Sequence, residues 1–127
     1  MRVSEIVFHQ WQPFFNDFTL LHHGKKVNVE TLDRGQIGVT SHMQDLPLVG
    51  IVAADPNAGT GEWIEIIAGE SAQTHATHSV PNPAHVRLAE EEDGQAIALQ
   101  IESSKGLVTM IRFEHAGDGI PRGYKIE

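Results

Sequence analysis

The stretch "VRLAEEEDGQAIALQIESSKGLVTMIRF", residues 86–113, decides how this chain folds. Asp93-Gly94 is the dipeptide of a two-residue type I′ hairpin, which needs left-handed backbone at both central positions. Used as the turn, it sets Val86 opposite Ile101 and Leu88 opposite Leu99. Ser104-Lys105-Gly106 fits a three-residue loop with glycine in the left-handed place. That loop sets Leu99 opposite Ile111 and Ile97 opposite Phe113. Side chains alternate across a strand, so both turns send Val86, Leu88, Ile97, Leu99, Ile101, Ile111 and Phe113 to the same face. Two separately assigned turns agree on one apolar surface, which specifies an antiparallel meander with one buried side.

Upstream of the meander the same period of two recurs. "KVNVETL", residues 26–32, sets Val27, Val29 and Thr31 against Asn28 and Glu30, and "QIGVT", residues 36–40, is a shorter candidate strand. "LPLVGIVAA", residues 46–54, is apolar on both faces, with Gly50 marking a bulge or bend. "DPNAGTG", residues 55–61, is a loop, followed by the strand "EWIEIIA" at 62–68.

Only the beginning of the chain breaks this rhythm. Phe8, Trp11, Phe14, Phe15, Phe18 and Leu21 recur at spacings of three and four, an aromatic stripe on one side of a helix. Pro13 is tolerated only in a first turn, so the helix begins near residues 10–12, and Gly24 supplies its left-handed stop. The stripe reads as a plug for the core rather than a cofactor-stacking box. None of the strand connections holds a crossover helix, which excludes a parallel α/β sheet. The expected architecture is α+β, mainly β: one N-terminal helix on six or seven mostly antiparallel strands, forming a bent sheet or a small, partly open barrel. Residues 1–127 read as a single domain with a regular core at about 8–115 and a loosely held tail at 116–127.

Composition narrows the chemistry. The chain has 127 residues, no cysteine, nine Lys and Arg, and seventeen Asp and Glu, for a net charge of −8. Thiolate nucleophiles, disulfides, zinc fingers and iron–sulfur clusters are thereby excluded. An acidic chain whose few cations are scattered repels phosphate backbones, so neither nucleic acid nor an anionic membrane is an expected partner. The N-terminus lacks a signal-peptide core, and the longest apolar run is too short to span a bilayer, so the cytoplasm is the expected location. The acidic run Glu90-Glu91-Glu92-Asp93 reads as a solvated turn rather than a cation site. No nucleophile elbow, phosphate-binding loop or EF-hand is present.

One motif could carry chemistry: "SAQTHATHSVPNP", residues 71–83, with His75 and His78 three apart. Eight histidines in 127 residues produce about 0.4 such pairs by chance. In an extended strand, residues three apart face opposite ways, so a shared divalent transition metal requires a helical turn here, capped by Ser71. Glu70, His42 or His115 would supply a third ligand. The competing reading is a polar connection in which the histidines, Thr74 and Thr77 satisfy backbone groups. His85, placed opposite Glu102 on the less apolar face, reads as an ordinary cross-strand partner.

The order of these features, from "EIVFHQWQPFFNDFTLLHHG" through "LPLVGI" and "HATHSVPNP" to "ALQIESSKGLVTMIRF", resembles a bacterial family of short acidic domains of unknown function over residues 5–114. That resemblance implies a stand-alone acidic domain with an H-x-T-H step and no catalytic set. With no cofactor indicated, the expected role is a non-catalytic binding or assembly module that meets a protein partner, or a second copy, through a sheet edge at 25–32 or 107–114. The alternative is a metal-binding protein or metal-dependent hydrolase using His75 and His78.

Overall fold

The computed structural model describes residues 1–33, 38–54, 62–71 and 73–114. Strand β1 (Arg2–Ile6) leads through a 3-10 turn (Phe8–Gln10) into helix α1 (Trp11–His22). Seven strands follow: β2 (Lys26–Asp33), β3 (Thr40–Ala53), β4 (Trp63–Gly69), β5 (His75–Pro81), β6 (Pro83–Glu90), β7 (Ala96–Ser103) and β8 (Leu107–Phe113). All eight belong to one sheet in the order β1-β6-β7-β8-β2-β3-β4-β5, every neighbouring pair antiparallel. No helix among the described residues is long and apolar enough to cross a membrane.

The meander has the expected register. Val86 pairs with Ile101, Leu88 with Leu99, and Leu99 with Ile111. The Ser104–Gly106 loop forms as expected, with Gly106 at φ +90° and its N–H donating to Ser103 O at 3.0 Å. The other turn differs. It is a three-residue loop, closed by Glu91 N to Gln95 O at 2.8 Å, with Gly94 at φ +89°. The ladder therefore starts one residue out of step, Glu90 opposite Ala96, and a bulge at Ile97 restores it at Ala89 and Ala98. The bulge turns Ile97 to the opposite face, where it packs with Ala89, Ala98 and Met110 rather than with Leu99.

The concave face of the sheet closes over α1. Trp11, Phe15 and Phe18 are buried among Val27, Val29, Leu48, Ile51, Ile64, Ile66, Val86, Leu99, Ile101, Ile111 and Phe113. Each such side chain contributes on the order of 1.5–3 kcal/mol on burial. The helix is fixed at two points. Trp11 Nε1 donates to Ile6 O at 2.8 Å, and Thr19 Oγ1 accepts from Ile51 N at 3.0 Å. Gly50 lies beside this contact, and a Cβ there would meet Thr19 Cγ2 at 3.4 Å, an ordinary van der Waals distance. The buried stripe is narrower than the sequence suggests: Phe8 and Leu21 are exposed, and Phe14 is half-buried.

Two strands were not expected. β1 lies in what reads as the approach to the helix, and β5 (His75–Pro81) lies within the stretch 71–83 that reads as a polar connection, which raises the count to eight. They are also the two edges of the sheet. The segments 25–32 and 107–114, expected to be edges, are paired on both sides: β2 lies between β8 and β3, and β8 between β7 and β2. Strand 46–54 is interior, as expected, but extends back to Thr40. Its bulge around Asp45 (φ +52°) is closed by Asp45 N donating to Asn28 Oδ1 at 3.1 Å. The first residues of the 36–40 candidate, the loop at 55–61, His115 and the tail at 116–127 lie outside the described residues.

Candidate functional site

The hairpin that carries the histidine motif is built by residues 69–75. Ser71 does not cap a helical turn. Its Oγ accepts from Gln73 N at 3.2 Å and Thr74 N at 3.1 Å, while Glu70 N donates to Thr74 O at 3.1 Å. Gly69 lies so close to the Thr74 carbonyl and the His75 backbone that no side chain fits there. The chain then runs as β5 beside β4, with Ile66 opposite His78 and Ala68 opposite Ala76. It leaves through Asn82, at φ +50° between Pro81 and Pro83, whose N–H donates to Glu62 O and whose carbonyl accepts from Ser104 N.

Because 75–81 is extended, His75 and His78 lie on opposite faces of β5, and the helical turn that a shared ion requires is not formed there. His75 is exposed, whereas His78 shares the inner face with the buried Val80. The histidine that meets His78 is His42 of β3, its ring centroid 4.3 Å away and tilted by 33°. His42 Nε2 is 2.8 Å from Thr31 Oγ1. No three His, Cys, Asp or Glu side chains come together among the described residues in a way that could hold a metal ion.

Burial, and after it the neighbouring His42, hold the His78 imidazole below its ordinary pKa of 6.5, so the ring is neutral at pH 7. Its Nε2 is buried without a hydrogen-bond partner. The Thr31–His42 contact pairs a hydroxyl with a base, but among the described residues no carboxylate is hydrogen-bonded to His42 to orient it.

Phase in the ladder determines what β5 presents outward. The bonds from Glu70 N to Thr74 O and from Asn82 N to Glu62 O belong to one unbroken register. Hydrogen-bonded pairs alternate along an antiparallel ladder, so Ala76, His78 and Val80 bond to β4. Thr77 and Ser79 direct their main-chain N–H and C=O away from it, along an edge that no other strand covers among the described residues.

The two edges are unlike. β1 is short and charged: Arg2 pairs with Glu90 at 3.1 Å, and Glu5 lies 2.9 Å from His85 and 3.5 Å from Arg87. His85, paired by register with Glu102, thus takes a carboxylate from β1 instead, while Arg87 takes Glu102 at 3.1 Å. β5 carries no Lys, Arg, Asp or Glu, and none occurs anywhere from 71 to 86. Charges, prolines and bulges are the devices that keep an edge from pairing, and β5 has only Pro81 at its end.

A second concave feature is a groove of about 470 Å³ between the end of α1 and the β6–β7 hairpin. Its lining is mixed, with Phe14, Phe18 and Leu88 beside Asp17, Lys25 and Glu90. His22 stands beside it, stacked on Phe18 at 4.0 Å with its Nδ1 3.0 Å from Phe18 O.

Sequence reasoning found the histidine motif but not the strand that carries it. Alternation of Ala76, His78 and Val80 with Thr77 and Ser79 was the available signal, hidden by a polar composition and the flanking prolines. The model of a family described as a family of unknown function (DUF5335) matches residues 3–121. No curated protein and no solved structure matches the chain.

Proposed function

We propose that this chain, which belongs to the family of unknown function DUF5335, is a non-catalytic binding module that takes up an extended segment of another polypeptide along β5. The observation that carries this reading is the uncharged, unbulged outer edge of β5, where Thr77 and Ser79 turn main-chain donors and acceptors outward. Strand addition draws its affinity from such main-chain bonds and its selectivity from alternate side chains. The side chains on offer are hydroxyls on one face and Ala76, His78 and Val80 on the other. An extended, weakly charged segment rich in Thr, Ser and Val fits them.

The test is selection from a displayed library of random peptides, repeated on Thr77→Pro, which removes one outward N–H and crowds the edge. The reading expects enriched β-prone sequences that bind the native chain and lose at least about tenfold affinity for the variant. Failure to enrich any sequence, or enrichment indifferent to the proline, would contradict it.

A further inference from the structure

We infer that the segment accepted by β5 is β5 of a second copy, joined about a two-fold axis that passes midway between the two His78 residues. This rests on the reading of β5 as an accepting edge and names its partner.

Full-length antiparallel pairing of the strand with itself places His75 opposite Pro81, Ala76 opposite Val80, Thr77 opposite Ser79, and His78 opposite His78. The phase agrees with this register. Thr77 and Ser79, whose main-chain groups point outward, become the hydrogen-bonded pairs of the new ladder, while His78 falls at a non-hydrogen-bonded pair.

The sequence of β5 reads nearly alike in both directions from His78. Hydroxyl residues flank it at 77 and 79, and small or branched apolar residues follow at 76 and 80. The four residues nearest the axis set like chemistry against like, hydroxyl with hydroxyl and alanine beneath valine, while at the ends His75 meets Pro81, which has no N–H to donate. A chain of net charge −8 meets its own copy without repulsion only where it carries no charge, and the stretch from 71 to 86 is such a region.

The absence of cysteine makes the register directly readable. At a non-hydrogen-bonded pair the Cα atoms are about 4.5 Å apart, within reach of a disulfide. His78→Cys should therefore cross-link on mild oxidation, whereas Ala76→Cys, on the same face, is separated from its counterpart by about 13 Å and should not. The expected difference in cross-linking rate is at least about tenfold. The unmodified chain should sediment as a dimer that Thr77→Pro converts to monomer, a readout that stands even if the cysteine variants fold poorly. A native chain that is monomeric at every concentration, or equal cross-linking of the two variants, overturns the inference. Should the native chain be monomeric yet still capture library peptides in a manner abolished by Thr77→Pro, the symmetric dimer fails and strand acceptance stands.

Discussion

The rings of His42 and His78 lie 4.3 Å apart, tilted by 33°, although their strands, β3 and β5, are separated in the sheet by β4. The bulged path of β3, which shifts register around His42, brings the two rings together across β4. The contact holds both rings next to the edge strand, and neutrality of His78 is part of it.

Acid should loosen this arrangement. The folded pKa of His78 is depressed by burial and then by His42, and that of His22 chiefly by burial. The unfolded chain therefore binds more protons than the folded one as pH falls through 6.5, and stability rises with pH across that window. The contribution is fully present above the ordinary value near 6.5 and is lost as pH drops through the folded values. Melting temperature followed from pH 7.5 to 5 should fall, and the slope should flatten in a His22→Gln, His78→Gln double variant.

Gly69→Ala should destabilise the fold by roughly 2–3 kcal/mol, because a methyl group at this position meets the Thr74 carbonyl and the His75 backbone rather than a movable side chain. Urea titration should show a lowered midpoint. Gly94→Ala in the β6–β7 turn, where the Cβ position has open space around it, should cost only the strain of the positive φ.

Burial separates two residues of the helix that appear equivalent in the sequence. Phe15→Ala should cost about 3–5 kcal/mol, since the ring is fully enclosed. Leu21→Ala should change stability by less than about 0.5 kcal/mol, because that side chain remains 74% exposed.

Glu30 and Arg112 form an ion pair at 3.2 Å on the outer face, with Glu30 only 3% exposed. Arg112→Met should cost about 3–5 kcal/mol by leaving a buried carboxylate without its cation. A Glu30→Met, Arg112→Met double variant should recover most of that loss, which a double-mutant cycle by urea denaturation measures.

The meander was legible because two turns with specific backbone demands, at 93–94 and 104–106, independently directed Leu88, Leu99 and Ile111 inward. The helix was legible from Trp11, Phe15 and Phe18, with Pro13 in its first turn and Gly24 just past its end. Ile97 was not, because a turn one residue longer than its dipeptide suggested was compensated by a bulge, and local sequence does not record such a compensation. The edges were misplaced for a related reason. β1 and β5 are each paired on one side only, so their sequences lack the apolar runs of interior strands, and β5 reads as a loop. His78 was singled out by its spacing to His75, yet the residue it meets, His42, lies 36 positions away and becomes its neighbour only when the sheet forms.

The most direct test of the uncovered edge is amide hydrogen exchange along β5, resolved by residue in dilute solution where copies do not associate. Thr77 and Ser79 should exchange rapidly, while Ala76, His78 and Val80, bonded to β4, should exchange slowly. Equal protection of all five amides under those conditions would mean that the chain covers its own edge and would contradict the account.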